Sequence, residues 1–254
     1  MLYPLTMSSD NLKINVALDK PLWDAGVKFY HTLSLSSASW LVFGASNSGK
    51  SVLVKTIVGR CASIPGARVT ICDGKAFDYR FLRNVDGARY FEHVDCSRGL
   101  HEFFREFTER MTDADAESYS PRIIVLEEWS SFLRTLEADK ETQKVAKQAM
   151  SELFSITSQG RAYNTHALVS LQRPDASFLS GFRENLTTTV GLGRISPEAA
   201  RMVGFNEYAA FNNEFCNQGQ GWLLDDTGKF AQIIVPRIQD FNKLHRAIVN
   251  VTTR

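Results

Sequence analysis

Four short apolar runs punctuate the chain: Trp40-Leu41-Val42-Phe43, Val69-Thr70-Ile71-Cys72, Ile123-Ile124-Val125-Leu126 and Ala167-Leu168-Val169-Ser170-Leu171. The segments between them carry apolar residues at helical spacing. Lys50 to Ala62 puts Leu53, Val54, Ile57, Val58 and Cys61 on one face, and Leu100 to Met111 does the same with Phe103, Phe104 and Phe107. A longer stretch, Asp139 to Gly160, aligns Val145, Ala149, Leu153 and Ile156. Continuous apolar strands alternating with amphipathic helices predict an α/β fold, a mostly parallel sheet buried on both faces and flanked by helices.

Before the first run the pattern differs. Leu12-Lys13-Ile14-Asn15-Val16 and Lys28-Phe29-Tyr30-His31-Thr32-Leu33 alternate apolar with polar residues, which predicts a small β lead-in over residues 1–36 at the edge of the main sheet. The main domain then runs over residues 37–254. Thr112 to Ser120 is polar and acidic and reads as a surface loop. Beyond Gly181 the signals weaken, although Gly221-Trp222-Leu223-Leu224 and Ala231-Gln232-Ile233-Ile234-Val235 predict a closing strand pair around an Asp226-Thr227-Gly228 turn.

Composition sharpens this picture mainly by exclusion. With 254 residues, 44% hydrophobic and 22% charged, the chain has the balance of a globular domain rather than a disordered or fibrous one. No apolar run approaches the roughly 18 residues of a membrane-spanning helix, so no direct membrane insertion is expected. Met1 to Asp10 has no signal-peptide pattern, and a cytoplasmic location is the expectation. The cysteines at 61, 72, 96 and 216 are scattered, which suggests reduced thiols rather than zinc ligands or disulfides. Twenty-nine basic against 28 acidic residues leave a net charge of +1, so any nucleic-acid contact must be local. Lys140, Lys144 and Lys147 form one basic stripe, read either as a solvated face or as a DNA-facing one.

The candidate chemistry begins directly after the first run. Gly44-Ala45-Ser46-Asn47-Ser48-Gly49-Lys50-Ser51 fits the phosphate-binding pattern GxxxxGK[ST], between a buried strand and an amphipathic helix that continues with Val52. Such a loop curls its N–H groups toward a triphosphate, and the helix N-terminus adds partial positive charge. Lys50 would reach the β and γ phosphates of ATP, and Ser51 would offer its hydroxyl to Mg²⁺. The third run ends in Glu127-Glu128. We assign Glu127 to the metal and Glu128 to polarising the attacking water; two exposed glutamates at a helix start are the alternative. Gln172 follows the fourth run, where its amide could sense hydrolysis, or where it is simply a loop residue.

With these motifs in order, the chain resembles the FtsK/SpoIIIE DNA translocases of the FtsK-HerA branch of RecA-like motor ATPases. The resemblance rests on the phosphate loop with Ser51-Val52, on Asp73-Gly74-Lys75 where the family carries Asp-x-Lys, and on Glu127-Glu128. It is most specific at Gln159-Gly160-Arg161-Ala162-Tyr163-Asn164-Thr165-His166 followed by Gln172-Arg173-Pro174, which match a Gly-Arg-Ala block, a buried strand and Gln-Arg-Pro. Ile195 to Arg201 and Gln218-Gly219-Gln220-Gly221 resemble further family segments, with departures at Ala199, Ala200 and Trp222.

The resemblance implies a RecA-like P-loop NTPase fold and an Mg²⁺-dependent ATP hydrolase. It also implies a homo-oligomeric ring, read as a hexamer, that moves double-stranded DNA in mobile-element transfer or genome packaging, with a membrane or portal protein as a further partner. Neither a winged-helix extension nor membrane helices are evident, so a motor core alone is expected. A ring would let a neighbour supply an arginine to the phosphates, and Arg161 and Arg201 are the candidates, each alternatively a structural ion-pairing residue. Two rival readings remain: an ATPase module of a protein-secretion system, and a nucleotide or small-molecule kinase, for which no Arg-rich lid is evident.

Overall fold

The computed structural model describes residues 13–35, 37, 39–113, 119–179, 181–212 and 216–254. Along the chain, β1 (Lys13–Asp19), the short α1 (Lys20–Asp24) and β2 (Tyr30–Ser34) precede β3 (Trp40–Gly44) and α2 (Lys50–Cys61). Next come β4 (Arg68–Asp73), β5 (Tyr90–Glu92), α3 (Cys96–Met111), β6 (Arg122–Glu127), α4 (Trp129–Glu137), α5 (Gln143–Gln159) and β7 (Thr165–Leu171). The remainder forms α6 (Ala176–Leu179), β8 (Thr188–Leu192), α7 (Pro197–Met202), β9 (Gln220–Leu224), β10 (Phe230–Ile234) and α8 (Phe241–Thr253).

Among the described residues the ten strands join one sheet in the order β2-β1-β10-β9-β8-β3-β7-β6-β4-β5. The block from β8 to β5 is parallel, whereas β9, β10, β1 and β2 continue it by antiparallel pairing. Successive side chains on a strand point to opposite faces. Here both faces are buried: Leu41 and Phe43 pack with Ile124, Leu126, Val169 and the helices α3, α4 and α5, whereas Trp40 and Val42 pack with Ile123, Val125, Leu168 and the helices α2 and α8. That explains why the four runs, apart from the buried Thr70 and Ser170, are apolar at consecutive rather than alternate positions. Among the described residues no helix is long and apolar enough to cross a membrane.

The second half of the chain departs from the expected elements. Two helices, not one, precede β7: Trp129, Phe132, Leu133 and Leu136 bury one face of α4, and Lys140 falls in the turn before α5 begins. The expected lysine stripe is therefore broken, with only Lys144 and Lys147 exposed on α5 itself. Strand β8 was not expected, because Thr188, Thr189 and Gly191 interrupt its apolar pattern although all five residues are buried. The closing pair does form as expected, β9 against β10, and Trp222 is buried in β9, where it stacks on Phe230 at 5.0 Å between ring centroids. The middle of the expected 112–120 loop, residues 114–118, and Leu12 of the lead-in lie outside the described residues.

Candidate nucleotide-binding site

Because β3, β7, β6 and β4 are parallel and adjacent, Gly44, Leu171, Glu127 and Asp73 all finish at one edge of the sheet. Strand β7 lies between the strand that feeds the phosphate loop and the strand that ends in carboxylates. Gln172 is thereby carried between Lys50 and Glu128, in the crevice where parallel α/β sheets bind ligands.

The loop is shaped by positions where a side chain does not fit. A Cβ on Gly44 would come within 2.4 Å of the Leu192 carbonyl oxygen and 2.7 Å of Ser48 Oγ. Gly49, the residue that opens α2, has φ +102°, and Asn47 has φ +64°. No side chain caps the first turn of α2, so its N–H groups stay available to an anion. Lys50 is buried and curls over the loop, donating from Nζ to the carbonyls of Gly44 at 2.7 Å and Ala45 at 3.4 Å. Burial pulls its pKa below the usual lysine range, while Glu128 and Glu127 oppose the shift. Ser48 Oγ and Glu127 Oε1 are among the buried polar atoms without a hydrogen-bond partner among the described residues, as are Tyr79 OH and Ser170 Oγ.

The two glutamates diverge in role because the chain turns between them. Glu127 ends β6 inside the sheet, where burial pushes its carboxyl up to about 8, helped by the neighbouring Asp78, Asp73 and Glu128. Glu128 has φ +55°, a left-handed conformation costing about 1–3 kcal/mol for a non-glycine residue. From there its Oε1 lies 2.7 Å from Lys75 Nζ and 4.0 Å from Lys50 Nζ, and its Oε2 accepts from Gln172 Nε2 at 3.2 Å. Ser51 Oγ donates to Asp78 Oδ2 at 2.9 Å, and Lys55 Nζ reaches the other oxygen at 3.0 Å.

Lys50, Glu128 and Gln172 thus lie together with Lys75, Glu127 precedes Glu128 at the same strand end, and Ser51 on the first turn of α2 meets Asp78. The motif Asp73-Gly74-Lys75 signalled the lysine, but no local pattern marked Asp78. Ala45, Ser46 and Asn47 form the exposed lip of the loop. Val52 and Gly49 border a cleft of about 530 Å³ lined also by Gln218, Gly219, Arg237 and Phe241, wide enough for the base and ribose of a nucleotide. The two arginines lie apart. Arg161 is exposed on the turn before β7, at the opposite edge of the sheet from the loop. Arg201 is exposed on α7 with its guanidinium 3.8 Å from Glu198.

No protein-family model matches the chain, and no curated protein matches it in sequence. Solved structures do. The cytoplasmic domain of the type VII secretion ATPase EccC from Thermomonospora curvata is 18% identical at a TM-score of 0.66, with 100% of this chain and 32% of that one covered. The pCW3 conjugation coupling protein TcpA, solved with ATPγS, is 16% identical at a TM-score of 0.75, with 95% of this chain and 70% of that one covered. EssC (ATPases 2 and 3) from Geobacillus thermodenitrificans is 15% identical at 0.67, with 98% and 49% covered. This chain therefore spans about a third to a half of the two secretion proteins and most of the coupling protein. At these identities the likeness establishes the fold, and the fold is that of the RecA-like P-loop ATPases.

Proposed function

We propose that the chain is an Mg²⁺-dependent ATPase of the FtsK-HerA kind that works in the cytoplasm as a ring and moves double-stranded DNA. The observation that carries the ATPase reading is the convergence of Lys50, Glu128 and Gln172 at one sheet edge, beside a glycine-shaped loop that lacks a side-chain cap. In this reading Lys50 exchanges the Gly44 carbonyl for the β and γ phosphates, and the N–H groups of the loop and of α2 hold the remaining oxygens. Glu128 orients the attacking water and accepts its proton, with Gln172 fixing the carboxylate in place.

The buried Oε1 of Glu127 and the hydroxyl of Ser51 suit a hard cation that keeps water and phosphate as its other ligands. When bound, Mg²⁺ would neutralise charge on the β and γ oxygens.

The cargo is the less supported half. Likeness to a conjugation coupling protein favours DNA, whereas likeness to a secretion ATPase and a net charge of +1 favour a polypeptide. Phosphate release measured with and without duplex DNA at low salt separates the two. Severalfold stimulation, lost as salt rises, supports the DNA motor; a rate indifferent to DNA moves the reading to a secretion module.

A further inference from the structure

Lys75 reaches the site through a turn built for that purpose. The carboxylate of Asp73 is buried and accepts four backbone N–H bonds, from Lys75, Ala76, Asp78 and Tyr79, at 3.0–3.2 Å. These bonds wind the chain after β4 into a closed turn, with Ala76 held at φ +54°. The Gly74 amide then donates to the Glu127 carbonyl at 3.2 Å, and a Cβ on Gly74 would stand 3.2 Å from Phe132 Cβ and 3.3 Å from that carbonyl. The turn is pinned against the strand that bears the two glutamates.

From this support Lys75 places its ammonium 2.7 Å from Glu128 Oε1, the oxygen that Lys50 approaches to 4.0 Å. One carboxylate oxygen therefore sits between two lysines, while Gln172 occupies the other oxygen. With its side chain 41% exposed, Lys75 enters from the mouth of the crevice to meet a carboxylate whose own side chain is 9% exposed. The arrangement calls for a functional explanation. Lys50 is aimed at the β and γ phosphates, so a cation that shares a carboxylate oxygen with it stands beside the γ-phosphate position.

We propose that Lys75 is a catalytic residue acting on the nucleotide of its own subunit. This rests on the ATPase reading above. The γ-phosphate, more highly charged than a carboxylate, draws the ammonium away from Glu128. That exchange frees Oε1 to accept a proton and puts a second lysine where charge develops in the transition state. In the step itself the water oxygen bonds to the γ-phosphorus while the bond to the β–γ bridging oxygen breaks. The bridging oxygen leaves on ADP with the bonding pair, and one water proton passes to Glu128. Lys75 keeps its proton throughout and contributes charge alone.

The test compares wild type, Lys75→Met and Lys75→Arg in phosphate release, in affinity for ATPγS, and in retention of ADP with aluminium fluoride, a mimic of the transferring phosphoryl group. The role predicts that Lys75→Met loses roughly 10²-fold in turnover and loses retention of the mimic, yet binds ATPγS within about threefold of wild type. Lys75→Arg recovers part of both. Normal ATPγS binding certifies that each variant is folded, and Lys75→Gln serves if the methionine variant does not pass. If Lys75 merely restrains Glu128 in the empty site, Lys75→Met turns over at or above the wild-type rate and retains the mimic, which overturns the role alone. Wild-type protein that neither hydrolyses ATP nor retains the mimic overturns the hydrolase reading, and the role of Lys75 with it.

Discussion

Glu128 is the residue through which the site is wired together. Its left-handed backbone is unfavourable, yet it lets one glutamate stay inside the sheet while the next faces Lys50, Lys75 and Gln172. Lys50 is as constrained, because among the described residues its buried ammonium pairs with loop carbonyls and with Glu128. Lys50→Ala should therefore reduce phosphate release by about 10²-fold or more and weaken ATP binding, while circular dichroism and the urea midpoint stay near wild type. The residues that make up this wiring were unequally legible. Gly44 to Ser51 and Glu127-Glu128 could be read in sequence because each lies within a few consecutive residues. Asp78 could not, because it meets Ser51 across 27 positions through a turn that only the Asp73 carboxylate defines.

At the scale of elements, the parallel block could be read wherever burial on both faces produced an unbroken apolar run. It failed at β8, where threonines and a glycine are buried for a different reason: strand spacing. A Cβ on Gly221 of β9 would lie 2.0 Å from the Gly191 carbonyl oxygen, and one on Gly191 would meet the Phe43 ring at 2.6 Å. The two strands pack closely because side chains are missing. Gly221→Ala should consequently lower stability by about 1–3 kcal/mol or more, as overpacking does, visible as a reduced urea midpoint. Since Gly219 of the same segment accepts the Val235 amide and donates its own to the Ser48 carbonyl, nucleotide affinity should fall with it. An alanine variant with wild-type midpoint and affinity would mean that the β8–β9 approach is looser than described. The helix α4 was a different kind of miss, because Trp129, Phe132, Leu133 and Leu136 carry its helical spacing openly.

For the whole molecule, among the described residues no arginine pairs with Lys50, Glu128 or Gln172, Arg237 borders the adjoining cleft, and Arg161 lies at the far edge of the sheet. A neighbour in a ring could bring it within reach, and mixed assemblies test this: inactive Arg161→Ala and inactive Lys50→Ala should together regain part of the turnover, because each supplies what the other lacks. Recovery in no mixture of Arg161 or Arg201 variants, although both assemble, would contradict trans action. With a net charge of +1, one subunit can offer DNA few contacts, so retention on duplex should require ATP-dependent assembly and should fall steeply with salt but little with sequence. The claim beneath all of these is that this crevice hydrolyses ATP with Glu128 as the proton acceptor. Its most direct test is phosphate release by wild type and Glu128→Gln with Mg²⁺ and saturating ATP, alongside ATPγS binding by both. The account predicts steady turnover in wild type, loss of at least about 10²-fold in the variant, and equal ATPγS binding; wild-type turnover in Glu128→Gln, with loss in Glu127→Gln instead, would contradict it.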